Sequence, residues 1–266
     1  MPKDMKKKYS QNSKIVYSLQ PWESDILNKK IIKINKFFIA TEEKEDRYNS
    51  ALRLLKRFIP LAKKRNFHAA YIRVNEIDIP VIHALETSGF LTIESLLTFY
   101  CPKEIKVKAL SGCDIVDYQD KYLTSLRDIA SRNFKYSRFH ADPRVSKERA
   151  DLSRAEWVTN ACNGRAEKVF VAKKRGKAVG FVACRSELNP KGGRTGIIDL
   201  IAVDSNFQRQ GIASDLMKAA SKYYHRKNLG LTVGTQAKNI PSVNLYTRLG
   251  FQLTRSELTL VRYFRK

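Results

Sequence analysis

The stretch best equipped for chemistry is Gln208 to Ala213, reading Gln-Arg-Gln-Gly-Ile-Ala. It follows a strand-forming run, Gly196 to Val203. It leads into apolar positions with helical spacing: Ile212, Leu216, Ala219, Ala220 and Tyr223. A turn between strand and helix can aim successive backbone N–H groups at one point, where the helix dipole also favours negative charge. The group that suits such a place is a pyrophosphate. Gly211 and Ala213 must be small if a ligand lies against the main chain, and Arg209 adds positive charge. Taken alone, six residues of this kind also describe an ordinary turn and helix start. Downstream, Asn239, Ser242 and Tyr246 are spaced i, i+3, i+7 and share one face of a second helix. That face lines a cleft or packs in the core.

The elements that must hold these groups are legible in the second half of the chain. Asp120 to Ser131 has a helical period. Lys168–Lys174 and Ala178–Cys184 are strand-like and flank Arg175-Gly176-Lys177, which reads as a hairpin. The mostly apolar run Gly196–Val203 predicts a strand covered on both faces. Leu229–Thr235 is strand-like. Pro241 opens a helix at a position where its missing N–H costs nothing, and Gly250 closes it as a left-handed cap. Glu257–Phe264 reads as a last strand. The order β-α-ββ-β-α-β-α-β is that of an α/β sheet domain.

The first half carries a partial copy of the strand–helix–strand unit. Ile79-Pro80 matches Ile240-Pro241, Gly89-Phe90 matches Gly250-Phe251, and Ser95, Leu97 and Thr98 match Ser256, Leu258 and Thr259. All share one offset of 161 positions. The copy has Leu85 where the second half has Tyr246, and it has no glycine-rich loop. We read it as a structural copy without acyl chemistry. The expected division is a basic, disordered tail over 1–14, a first domain over 15–108 and a second over 109–266. The boundary is suggested by a lysine-rich stretch and Ser111-Gly112.

The formal charge is +24, with basic residues in excess in both halves and no single basic arm. Three sources compete: a lysine-rich proteome, a preference for small polyanions, and nucleic-acid binding. The last ranks below the other two because no stripe stands out. No apolar run is long enough to span a bilayer, and the polar N-terminus lacks the apolar core of a signal peptide. A cytoplasmic protein is expected. Cys101, Cys113, Cys162 and Cys184 are far apart and lack metal-ligand spacing, so they read as reduced thiols and no metal is expected.

The ordered combination V-D-x-x-x-Q-x-x-G-I-A (Val203 to Ala213), a helix, a strand, then Asn239 and Tyr246-x-x-x-Gly250-Phe251 resembles the GNAT family of N-acetyltransferases along most of residues 110–266. The resemblance implies the GNAT fold, a mixed, splayed sheet flanked by helices, and acetyl-coenzyme A as co-substrate. It maps the two splayed strands to Gly196–Val203 and Leu229–Thr235. It implies a coenzyme-binding set of Ile201, Ala202, Val203, Gln208, Arg209, Gln210, Gly211, Ile212, Ala213, Ser214, Asn239, Ser242 and Tyr246. Acetyl transfer to an amine needs a neutral amine, a stabilised oxyanion and a protonated leaving thiolate. A backbone N–H aimed at a developing oxyanion is worth roughly 3 kcal/mol. Tyr246 would be the general acid, since a phenol with a pKa of ~10 carries its proton at neutral pH. The base would be Asp199 or Glu187, or a chain of waters.

A narrower resemblance concerns the acceptor. Val233-Gly234-Thr235-Gln236 with Asn239 and Leu245-Tyr246, Ser137-Arg138-Phe139, Glu156 to Ala161, Glu187-Leu188-Asn189 and Pro21-Trp22-Glu23-Ser24 are similar to runs in the TDP-fucosamine (TDP-4-amino-4,6-dideoxygalactose) N-acetyltransferases. That implies an amino sugar linked to a nucleoside diphosphate. Arg138 would meet a phosphate, Phe139 or Trp157 would pack on a ring, and Glu187 and Gln236 would touch the sugar. Each also has a plainer reading: surface ion pair, core ring or helix cap. Other expectations stay open: a protein or small-molecule amine as acceptor, a regulator that binds acetyl-CoA without turnover, and a homodimer through a free sheet edge of the first half.

Overall fold

The computed structural model describes residues 13–108, 111–188 and 192–264. The expected tail lies almost wholly outside them, as does Asn189. The described residues form two compact units, one of residues 13–93 with 257–264 and one within residues 94–256. The composition-based boundary at 108/109 therefore falls inside the second unit.

The chain runs β1 (Lys14–Leu19), α1 (Pro21–Leu27), β2 (Ile31–Phe38), α2 (Lys44–Lys64), β3 (Ala69–Asn75), α3 (Ile79–Thr87) and β4 (Leu91–Cys101). It continues with β5 (Asp114–Asp117), α4 (Leu123–Asn133), α5 (Arg138–Ala141), α6 (Lys147–Asn160), β6 (Lys168–Lys174), β7 (Lys177–Leu188) and β8 (Arg194–Val203). It ends with α7 (Ile212–His225), β9 (Leu231–Gln236), α8 (Ile240–Arg248) and β10 (Gln252–Tyr263). The expected mixed α/β architecture is what forms.

In the second unit the strand order is β4-β9-β8-β7-β6-β5. Parallel pairing joins β8 to β9, and the other neighbours are antiparallel. One sheet face packs α7 and α8 through Ile212, Leu216, Tyr224, Val233 and Tyr246. The other packs α4 and α6 through Leu126, Ile129, Val158, Phe181 and Leu200. The β6–β7 turn carries Arg175 at φ 50° and Gly176 at φ 78°, the two left-handed residues of a tight hairpin whose twist suits its strands. Gly196 lets the sheet approach α7: a Cβ there would sit 2.5 Å from the ring of fully buried Tyr224. Gly196→Ala is expected to destabilise the fold by about 1–3 kcal/mol, read as a lower midpoint in urea. An unchanged midpoint would mean that the ring moves aside.

In the first unit β1-β2-β3 is closed by residues 257–263 of β10. The repeat now acquires a structural meaning. Pairing of β4 with β9 sets Leu96 opposite Gln236, and pairing of β10 with β3 sets Glu257 opposite Asn75. Shifting each residue by the repeat offset converts one register into the other. The strand that follows α3 closes the second unit, and the strand that follows α8 closes the first.

The four cysteines are unpaired thiols. Burial pushes Cys162 up to about 11 and raises Cys184 further, so neither is a thiolate near neutral pH. Among the described residues no helix is long and apolar enough to cross a membrane, and no group of His, Cys, Asp or Glu is disposed to hold a metal.

Candidate active site

Strands β8 and β9 pair only from Gly196–Leu231 to Ile198–Val233. Both then run on, β8 to Val203 and β9 to Gln236, without pairing to each other. The split begins where β8 carries an extra residue. Ala183 faces Leu200 and Cys184 faces Ile198, so Asp199 is a bulge, which bends the strand away from its neighbour. Along the split, backbone groups of Leu200 to Val203 on the β9 side have no strand to bond. An extended ligand with amides of its own could add there as a strand would.

The far end of β8 leads directly into the loop. Asp204 accepts from the Asn206 N–H at 2.9 Å, and Gln208 donates to the Val203 carbonyl at 3.1 Å, which fixes the turn. Arg209 sits at φ 61° and Gly211 at φ 84°. An alternation of this kind is the backbone geometry that can turn successive N–H groups toward one anion. Gly211 is the N-cap of α7, and no side chain caps that end. The first N–H groups of α7 therefore have neither a helical nor a side-chain partner. Behind them Asp215 is buried and takes two bonds from Ser111, at 3.1 Å from its N–H and 2.5 Å from its hydroxyl, which pins the helix start. Gln208, Arg209 and Gln210 are exposed, and the Gln210 side chain is bonded by Lys174 at 2.8 Å.

Tyr246 lies on α8 across the split, 2% exposed, with its ring between Phe99 of β4 at 5.9 Å and Phe251 at 5.8 Å. Burial pushes its pKa up to about 12, and a hydrogen bond with Ser242 pulls the other way. Val203, Ile212 and Tyr246 belong to one apolar cluster, with Ile201 and Ala213 packed on it. Of the expected coenzyme set, Ile201, Val203, Ile212, Ala213 and Tyr246 thus meet in one apolar cluster, and the Gln208 to Gly211 loop leads from β8 into α7. Asn239 also shapes the helix itself. Its side chain caps α8 through the Ser242 N–H (3.4 Å) and donates to Thr235 (3.0 Å). It is the N-cap and precedes the helical face on which Ser242 and Tyr246 lie. Phe99 has no signal in the sequence, because it arrives on a strand from the preceding repeat.

On the opposite sheet face, Asp199 is 7% exposed and both its oxygens are engaged. The Trp157 indole donates to one at 2.8 Å. Arg185 donates to the other at 3.3 Å, and Arg165 lies 3.6 Å from it. Arg185 also pairs with Glu187, which is half exposed. The guanidiniums of Arg154 and Arg165 lie over the Trp157 ring at 4.9 and 4.8 Å. Trp157 is therefore an anchor for charged groups, bonded to a carboxylate through its N–H and stacked by two cations. Arg138 and Phe139 are buried on α5, stacked on each other at 4.4 Å. Ser137 caps α5, its hydroxyl 2.6 Å from His140, which reaches Asp151 of α6 at 3.0 Å. Gln236 ends β9, partly buried.

The first unit keeps the geometry of the split and closes it. Strands β2 and β3 pair from Ile31–Ala69 to Ile34–Ile72 and then part, and Asn35 is a bulge at the place corresponding to Asp199. No glycine loop follows. Thr41 to Asp46 reads Thr-Glu-Glu-Lys-Glu-Asp, which repels an anion. Arg47 of α2 grips Asp78, the N-cap of α3, with two bonds of 2.8 and 2.6 Å. Tyr48 and Leu52 of α2 and Val81 and Leu85 of α3 join one core, so the two helices fill the space over the parted strands.

Residues 123–251 match the model of the acetyltransferase (GNAT) family. The chain is 26% identical over 244 residues to the spore coat polysaccharide biosynthesis protein SpsD of Bacillus subtilis, covering 91% of this chain and 81% of that one. Human N-alpha-acetyltransferase 30 is 31% identical over 83 residues, which is 31% of this chain and 23% of the human protein. The fold is similar to a solved GCN5-related N-acetyltransferase from Sphaerobacter thermophilus, with a TM-score of 0.63 at 12% identity, covering 94% of this chain and 76% of that one.

Proposed function

We propose that this chain, which carries a GNAT acetyltransferase domain over residues 123–251, moves an acetyl group from acetyl-CoA to the amine of a nucleotide-linked 4-amino sugar. The observation that carries the coenzyme half is the junction of two features on one strand. The parted edge of β8 ends in an uncapped, glycine-started helix. A pyrophosphate fits the N–H groups of residues 211–214, and an amide-bearing arm fits the free edge of β8. When bound, acetyl-CoA supplies the activated acyl group.

The chain's own residues then have defined parts. Backbone groups of Ile201 to Val203 orient the arm and offer N–H donors to a developing oxyanion. Tyr246 holds a proton at its buried hydroxyl for the leaving sulfur. Asp199 serves to anchor Arg165 and Arg185. Glu187, with solvent beside it, takes the amine's proton through water. Arg138 and Phe139 shape the acceptor wall from behind, and Gln236 faces the sugar at the mouth of the split.

The acceptor half rests on two supports. The narrower sequence resemblance covers both ends of the chain. The relative SpsD, matched over most of its length, is named for polysaccharide biosynthesis. The match to human N-alpha-acetyltransferase 30 supports a second reading, a protein N-terminal amine, over a shorter stretch. A thiol-release assay separates them. Purified protein and acetyl-CoA are offered nucleotide-linked 4-amino sugars, free amino sugars, peptides and polyamines. Release is expected with a nucleotide-linked sugar and not with peptides or polyamines. Release with peptides alone keeps the acetyltransferase and discards the sugar.

A further inference from the structure

We propose that Arg165 and Arg185 form a subsite for a phosphate group of the acceptor, set on the α6 side of β8 at the point where β8 and β9 part. This deepens the reading of the acceptor as a nucleotide-linked sugar and rests on it.

Position is the first argument. Asp199, which both arginines reach, directly follows Ile198, the last β8 residue paired with β9. It stands two residues before Ile201, roughly 7 Å along a strand. A group bound at the arginines is therefore a neighbour of whatever lies in the split.

Fixation is the second. Both guanidiniums are held from below, by Asp199 and, for Arg165, by the face of Trp157. Their fork geometry is thus set before a ligand arrives, which lowers the ordering cost of binding.

Spare capacity is the third. A guanidinium has five N–H donors. Arg165 turns one nitrogen to Asp199, and Arg185 uses Nε on Asp199 and Nη1 on Glu187. Among the described residues no other group takes the remaining donors. Arg165 is 42% exposed and Arg185 30%, against 7% for Asp199. The outer layer of the cluster is donors, with the carboxylate beneath. Arg165 and Arg185 stand over the carboxylates Asp199 and Glu187, so the charge turned outward is theirs. Planar forks of this kind match a phosphate with two parallel bonds. The same charge disfavours an ammonium nearby, and so favours the neutral amine that acetyl transfer requires. It also selects against acceptors that are themselves polycations.

The test uses the full chain with coenzyme A present and thymidine diphosphate as the probe, followed by calorimetry. Wild-type protein is expected to bind it, and Arg165→Gln and Arg185→Gln each weaken binding roughly ten-fold or more. In turnover the same variants raise KM for a nucleotide-linked amino sugar by a similar factor. They leave KM for acetyl-CoA, and for any free amino sugar that is turned over slowly, unchanged. Arg165→Lys keeps the charge without the fork and is expected to fall between. Thermal melting checks that each variant folds. If wild type acetylates the nucleotide-linked sugar and both Gln variants keep its KM, the subsite is overturned and the acceptor reading stands. If wild type acetylates another amine and does not bind the diphosphate, both fall.

Discussion

Replacing Tyr246 by phenylalanine is expected to lower kcat by about 100-fold and to leave acetyl-CoA affinity unchanged. The ring stays where it is, because its contacts with Phe99 and Phe251 are those of carbon atoms. What is lost is the hydroxyl beside Ser242 and the proton it carries. Burial holds that proton up to a pKa of about 12, so Tyr246 is protonated near neutral pH. Tyr246 therefore gives no alkaline limb to the rate profile below about pH 12, because only the ionised phenol would fail as an acid. A steady-state comparison with a parallel binding titration reads both quantities. A variant with unchanged kcat would remove Tyr246 from proton transfer and return it to core packing.

Gly211→Trp is expected to abolish acetyl-CoA binding. At φ 84° the backbone of residue 211 suits glycine, and any other L residue is strained there. The indole would also stand among the N–H groups that start α7. Wild-type protein is expected to bind one acetyl-CoA per chain in calorimetry and the variant none. The count of one follows from the first unit, where the Arg47–Asp78 clamp and the packing of α2 on α3 occupy the equivalent space and the loop is acidic. Two sites per wild-type chain would show that the first unit is open. Retained binding in the variant would place the pyrophosphate elsewhere.

The parts of this site that local residue chemistry dictates are legible in the sequence. A glycine at a left-handed position, a proline at the start of α8 and an apolar run for β8 each act within a few residues. Gly211, Gly250 and the Arg175-Gly176 hairpin all adopt the positive φ their settings require. Helix α6 is not legible as an element, because its buried face includes Ser153 and Arg154 and its apolar pattern is weak. It is held instead by a Ser146 cap and by Arg127 reaching Glu156 at 2.8 Å. Strand β5 has four residues, two of them aspartate, and owes its place to pairing with β6.

The remainder is non-local. Asp199 is visible in the sequence as a carboxylate on a strand, and its bulge and its three partners are not. Those partners come from α6, from the turn after it and from β7. The repeat is legible from matched residues at one offset, while the placing of β4 and β10 depends on pairing partners far away in sequence. That is why a boundary drawn from composition at 108/109 separates Phe99 from the tyrosine it supports. A chain beginning at residue 109 would lack that wall.

Mass spectrometry of the acceptor, after reaction with acetyl-CoA carrying deuterium in its acetyl group, decides where the acetyl goes. The predicted result is a single labelled acetyl on the amine nitrogen of a nucleotide-linked 4-amino sugar, formed only with protein present. Label on a hydroxyl, on peptide alone, or on no acceptor while coenzyme is still bound would contradict that assignment.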